Sequence, residues 1–84
     1  INNANNLRFT NCTFNNGVTI NEGTYLAIDS CTFNNEGITL NSGLYNNITN
    51  NIMNLTTTAI DMTSSSNNII NNNHKTFKYT TYGI

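Results

Sequence analysis

The sequence predicts an all-β solenoid of about four coils, each built from three short strands. Three observations lead there. The segment Phe9-Thr10-Asn11-Cys12-Thr13-Phe14-Asn15-Asn16 returns nineteen residues later as Ile28-Asp29-Ser30-Cys31-Thr32-Phe33-Asn34-Asn35. Self-similarity at a fixed period of about 20 residues marks a repeat architecture. Within each copy, apolar-polar-apolar triplets recur, the period-2 pattern of a strand with one buried face, and no helical periodicity competes with it.

The first coil reads Leu7-Arg8-Phe9, then Cys12-Thr13-Phe14, then Val18-Thr19-Ile20. Its spacers, Thr10-Asn11 and Asn15-Asn16-Gly17, are residues that tolerate bends and left-handed backbone. The second coil repeats this as Leu26-Ala27-Ile28, Cys31-Thr32-Phe33 and Ile38-Thr39-Leu40, with one extra residue, Glu36, in its second spacer. In the third, Ile48 aligns with Ile28, Asn51 with Cys31, Met53 with Phe33 and Asn54 with Asn34; Ile60-Asp61-Met62 follows a Thr-rich spacer. For the fourth, the alignment places Ile69 with Ile48, Asn72 with Asn51 and His74 with Met53, and takes Phe77-Lys78-Tyr79 as the third strand. The steps are then 19, 20 and 21 residues, and the coils run approximately 7–25, 26–45, 46–66 and 67–84 within a single domain, 1–84. The absence of Pro fits, because interior strands use every N–H in a ladder.

Coils about 4.8 Å apart stack matched residues into columns. The inward columns are expected to be Phe9-Ile28-Ile48-Ile69, Cys12-Cys31-Asn51-Asn72, Phe14-Phe33-Met53-His74 and Ile20-Leu40-Met62-Tyr79. The outward ones are Arg8-Ala27-Asn47-Asn68, Thr13-Thr32-Ile52-Asn73 and Thr19-Thr39-Asp61-Lys78. Cys12 and Cys31 read as packing thiols: their spacing suits a disulfide, but parallel neighbours point the same way. Asn51 and Asn72 read as buried amides satisfied along the axis. Asn15-Asn16 and Asn34-Asn35 form a turn with the makings of a second amide ladder. His74 reads as a cap on the core.

The motif Ile28-x-x-Cys31-x-Phe33-x-Asn35-x-Gly37-Ile38-x-Leu40 resembles the repeat of right-handed parallel β-helix proteins. That superfamily includes pectate lyases, rhamnogalacturonases, alginate epimerases, bacteriophage tailspikes and surface adhesins. Asn often stands in the Cys31 position of the repeat, and Asn51 and Asn72 restore it. The resemblance covers residues 4 to 79 and implies a right-handed parallel β-helix in an extracellular, cell-surface or virion setting. It carries little about activity, because core and turn positions make it up.

Composition narrows the function classes. The chain has 21 Asn and 14 Thr but only seven charged side chains. With Arg8, Lys75 and Lys78 as its only cations and a formal net charge of −1, it lacks the basic face that nucleic acid needs. No apolar run reaches the length of a membrane span. The acids Glu22, Asp29 and Glu36 fall in different spacers and Asp61 stands alone in its column, so neither a glycosidase carboxylate pair nor a Ca²⁺ cage is expected. No cofactor, metal site or catalytic residue is expected.

The expectation is a structural or adhesive β-helix module, with Asp61, Lys78, Thr19 and Thr39 as candidate surface contacts for carbohydrate; Asp61 and Lys78, outward and one coil apart, read first as an exposed ion pair. Two alternatives stand beside it: a non-catalytic fragment of a polysaccharide lyase or hydrolase, and an ice-binding solenoid using the Thr13-Thr32 and Thr19-Thr39 rows. The chain starts at Ile1 rather than Met, which points to a processed product or a segment of a longer protein. Self-association, by end-to-end stacking or as a trimer, or flanking β-helix coils, is expected because raw sheet edges invite pairing.

Overall fold

The computed structural model describes residues 1–55 and 59–76. The chain is a parallel β-solenoid of about three turns, three strands to a turn, with no helix among the described residues. The first coil contributes β1 (Arg8–Thr10), β2 (Thr13–Phe14) and β3 (Val18–Asn21). The second contributes β4 (Ala27–Asp29), β5 (Thr32–Asn35) and β6 (Ile38–Asn41). The third contributes β7 (Asn47–Thr49), β8 (Ile52–Leu55) and β9 (Ile60–Thr63). β10 (Ile69–Asn71) and β11 (His74–Thr76) open the fourth. Three parallel sheets result, in the orders β1-β4-β7-β10, β2-β5-β8-β11 and β3-β6-β9. The proposed third strand of the fourth coil, with Lys78 and Tyr79, lies outside the described residues.

The bends have a common construction. Each coil carries three non-glycine residues with φ between 50° and 59°: Asn3, Asn6 and Asn11, then Glu22, Tyr25 and Ser30, then Ser42, Tyr45 and Asn50, then Ser64, Asn67 and Asn72. Asn accepts this left-handed backbone more readily than other side chains. The residue after each bend falls in a corner column on the core side. In the third coil these are Gly43, Asn46 and Asn51, all buried.

Corner residues hold successive coils together by one repeated hydrogen-bond pattern. Asn51 Oδ1 accepts the Cys31 N–H at 2.8 Å, and its Nδ2 donates to the Ile28 carbonyl at 3.0 Å. Asn46 does the same to Leu26 N–H and the Gly23 carbonyl, at 2.8 and 3.1 Å. One coil later, Asn68 clamps Asn46 N–H and the Gly43 carbonyl, and Asn73 clamps Asn51 N–H and the Ile48 carbonyl. At the third corner the Ser65 hydroxyl accepts from Gly43 N–H and donates to the Leu40 carbonyl. In each case one side chain takes the N–H of a residue and the C=O three positions before it. Buried main-chain groups that a bend removes from the ladder are thereby satisfied. No buried side-chain nitrogen or oxygen among the described residues lacks a partner.

The apolar interior follows the expected columns through three coils. Phe9, Ile28 and Ile48 align, as do Phe14, Phe33 and Met53, and Ile20, Leu40 and Met62. Phe14 stacks on Phe33 at 4.9 Å and meets Phe9 edge-on at 5.7 Å. Met62 keeps the register but is 41% exposed. Cys12 and Cys31 are free thiols. Cys31 Sγ donates to the Phe9 carbonyl at 3.4 Å, the first-coil counterpart of the Ile28 carbonyl that Asn51 holds. The thiol thus supplies half of the amide's function. Burial pushes the Cys31 thiol up, which keeps it protonated at neutral pH.

The fourth coil differs from expectation by one residue. Ile70, not Ile69, pairs with Ile48; Ile69 pairs with Asn47 and is 57% exposed. The corner amide is Asn73, whereas Asn72 is the exposed left-handed bend before it. His74 pairs with outward Ile52 and is itself exposed, so it does not cap the core; Lys75 is the register partner of Met53. Accordingly Ile69, not Asn68, continues the Arg8-Ala27-Asn47 column, and His74, not Asn73, continues Thr13-Thr32-Ile52. Asn68 is instead a corner clamp. The cause is a longer third coil, 22 residues from Ile48 to Ile70. A one-residue slip exchanges every inward for every outward side chain.

Candidate functional site

An external groove of about 310 Å³ lies at the bend between the second and third strands of the first two coils and along β3, β6 and β9. Asn16, Gly17, Val18, Thr19, Glu36, Gly37, Thr39 and Asp61 line it. Register places Thr19 opposite Thr39 and Thr39 opposite Asp61, on β3, β6 and β9. Three of the four expected surface-contact residues therefore share one concave site; Lys78 lies outside the described residues.

Local backbone shapes its rim. Asn35 has φ 74°, and the Glu36 N–H donates to the Asn34 carbonyl at 2.9 Å, a positive-φ γ-turn. Such turns are strained, and here Asn35 Nδ2 offsets the strain by donating to the Asn15 carbonyl at 3.0 Å. The turn accommodates Glu36, the residue that the second coil has and the first lacks, and places it on the groove. Gly37 is required beneath it, because a Cβ there would overlap the Ala59 carbonyl. Beside this bend runs the anticipated amide ladder: Asn34 Nδ2 donates to Asn15 Oδ1 at 3.1 Å and Asn54 Nδ2 to Asn34 Oδ1 at 3.2 Å. A further ladder, Asn2-Asn21-Asn41, stands at the end of the third strands.

The groove brings together two carboxylates that lie 25 residues apart in sequence, Glu36 and Asp61. Asp61 is the one acid of its column among the described residues, as expected; Glu36 reaches the same groove from the neighbouring bend, which a comparison of matched positions does not capture. Two threonine hydroxyls, an amide and two carboxylates supply donors and acceptors suited to a hydroxyl-rich ligand. The volume is at the small end of ligand sites. No group of three or more His, Cys, Asp and Glu able to hold a metal occurs among the described residues.

Asp29 lies elsewhere, at the end of β4. Its carboxylate accepts from Asn50 Nδ2 at 3.0 Å, Thr49 Oγ1 at 3.1 Å and Ser30 Oγ at 3.3 Å. The bonds from Asn50 and Thr49 hold its pKa below the ordinary value, with smaller help from Ser30 and Arg8. It fastens the second coil to the third.

Two aromatic residues complete the outer surface, and sequence reading passed over them. Tyr25 and Tyr45 are 58% and 49% exposed, with ring centroids 5.4 Å apart and planes 14° from parallel. Both occupy left-handed bends, at φ 56° and 55°. Asn6 and Asn67 fill the matching bends of the first and fourth coils. A left-handed backbone costs an ordinary side chain about 1–2 kcal/mol, while one aromatic stack returns about 0.5–1.5 kcal/mol. That return comes on top of the rings' buried area, so the bend itself favours Asn and the tyrosines are held there for their rings. The 20-residue step between them, equal to the coil period, was the signal available in the sequence.

Compared with known proteins, the chain matches no family model, no curated protein and no solved structure.

Proposed function

We propose that the chain is a structural and adhesive module, a rigid β-helical shaft of an extracellular fibre, surface adhesin or virion tailspike, that contacts a glycan through its external groove. The observation carrying this reading is the convergence of Thr19, Thr39, Asp61 and Glu36 on one concave face of a stack in which every buried side-chain nitrogen and oxygen of the described residues has a partner. A self-satisfied interior gives a stiff support, and an acidic, hydroxyl-lined face matches a sugar better than it matches a polyanion or an anionic bilayer. The resemblance of the repeat to right-handed parallel β-helices supports the same setting. Glycan-array binding tests it: the wild-type chain is expected to retain a subset of neutral or weakly basic glycans, and the triple variant T19V/T39V/D61N to lose them. An array with no ligand, or one on which the triple variant binds equally, overturns the groove's role.

A second reading, a piece of a polysaccharide-degrading enzyme, is favoured by one observation, the presence of both Glu36 and Asp61 in the lining of the groove. Paired carboxylates are the working groups of glycosidases. Release of reducing ends from a polysaccharide panel, abolished by E36Q and by D61N, would establish it. The ice-binding reading finds less support, because each Thr row has two members before Ile52 or Asp61 interrupts it.

A further inference from the structure

We propose that the Tyr25–Tyr45 pair is a second glycan-contact site, a stacking platform that takes the C–H face of a pyranose ring. The inference rests on the glycan-contacting reading above but concerns a different corner of the coil. The groove precedes the third strand, whereas the tyrosines lie beyond its end, after β3 and β6.

Several observations point there together. The two rings are the large aromatic surface left open on the described part of the molecule, and their spacing and tilt fall in the offset-stacked range. An offset stack leaves part of each ring face uncovered. Both rings are held on strained bends that Asn fills in the coils on either side, so the sequence departs from the fold's own preference at these two positions alone within the column. Residues held in a backbone region that they disfavour cluster at functional positions. Each ring is braced on one side by its neighbour, which lessens the side-chain freedom to be lost on binding.

The surroundings select the ligand class. The polar C–H bonds on one face of a pyranose carry partial positive charge and meet the negative face of an aromatic ring. The neighbouring bend and bridge residues Asn6, Thr24, Ser42 and Asn67 offer amides and hydroxyls for the sugar's hydroxyl rim, with Glu22 the one acid in the same bend. A protein partner would need a far larger apolar contact than two rings and Leu44 provide.

The test is an NMR titration of the isotope-labelled chain with cellohexaose, chitohexaose and mannohexaose in turn. At least one hexasaccharide is expected to shift the amides of Tyr25, Tyr45 and their bend neighbours along a saturating curve. Y25N/Y45N, which installs the residue already used in this column, is expected to weaken that affinity at least about tenfold. Y25F/Y45F, which keeps the ring faces, is expected to retain it, and T19V/T39V/D61N to leave these shifts unchanged even if groove shifts vanish. The proposal is overturned if no hexasaccharide moves these amides at millimolar concentration. It is equally overturned if Y25N/Y45N binds as the wild type does, or if the same amides shift with protein concentration alone, which would assign the rings to contact with another polypeptide.

Discussion

Asn51 shows how one side chain fastens two coils. It is 1% exposed and satisfies the Cys31 N–H and the Ile28 carbonyl together. Asn51→Ala removes both partners and leaves two buried main-chain groups unpaired, at about 1–3 kcal/mol each. Urea unfolding is expected to show a loss of about 2–5 kcal/mol, a large share of a small domain's stability. Cys31→Asn should behave oppositely. The Phe9 carbonyl already receives the weaker thiol donor, and an amide would supply the missing acceptor for the first coil as well. Stability is expected to hold or rise by about 1 kcal/mol. A drop as large as that of Asn51→Ala would show that the corner columns are set by volume rather than by hydrogen bonding. Asp29 adds a pH dependence at the same scale. Its folded pKa is lowered chiefly by Asn50 and Thr49. The stability it contributes is therefore complete above its unfolded value, near 3.9, and is lost as pH falls through the lower folded value. Melting curves of wild type and D29N should run with a constant offset from neutrality to about pH 4 and converge below it. Convergence at a higher pH would place the linkage on another group.

At the scale of the coil, the elements that could be read from sequence were those whose inward residues were chemically distinct. Phe14 above Phe33 above Met53 admits one alignment, and the structure has it. The fourth coil offered two. Ile69-Ile70 and Asn71-Asn72-Asn73 look alike one residue apart, and the deciding fact, a 22-residue third coil, passes through a Thr-rich spacer with no alignment marks. The clamp geometry removes the ambiguity, because Asn73 reaches Asn51 N–H and the Ile48 carbonyl while Asn72 forms the bend. A pair of variants separates the two registers. Asn73→Ala should destabilise by about 2–5 kcal/mol by stranding those groups. Asn72→Gly should be neutral within about 1 kcal/mol, because glycine accepts the left-handed backbone without a side-chain penalty. Circular-dichroism melts in which Asn72→Gly is the more damaging would restore the shorter step. The groove was half legible for a related reason. Thr19, Thr39 and Asp61 share a column and could be listed together, but Glu36 arrives by a turn, and periodicity carries no information about where a bend points.

At the scale of the molecule, the corner clamps are polarised along the stack. Asn and Ser clamp from the fourth coil to the third, Asn46 and Asn51 from the third to the second, and Leu26 and Cys31 occupy the same columns in the second. The first coil completes the trend with Leu7 and Cys12. Its β1, β2 and β3 are the edge strands of the three sheets. Phe9, Cys12, Phe14 and Val18 are only partly buried there, whereas their second-coil counterparts Ile28, Cys31, Phe33 and Ile38 are enclosed. Leu7 is 42% exposed at the same end. Ile1–Asn3 already pair along β3, through the Asn2–Asn21 bridge and the hydrogen bonds of Ile1 to Thr19 and Asn21, so the β1 and β2 edges beside this apolar cross-section form the template for another coil. Repeat arrays are stabilised by such neighbour contacts. We therefore predict concentration-dependent self-association of this chain through its first coil. Size-exclusion chromatography with light scattering should show a mass above 9.3 kDa that falls on dilution. Thr13→Lys is exposed and places a charge on the β2 edge, a means by which natural sheets prevent pairing. It should shift the population toward monomer while leaving the melting curve of the dilute chain within about 0.5 kcal/mol of wild type. A wild-type chain that stays monomeric at high concentration, or an oligomer indifferent to Thr13→Lys, would remove the first coil from the interface.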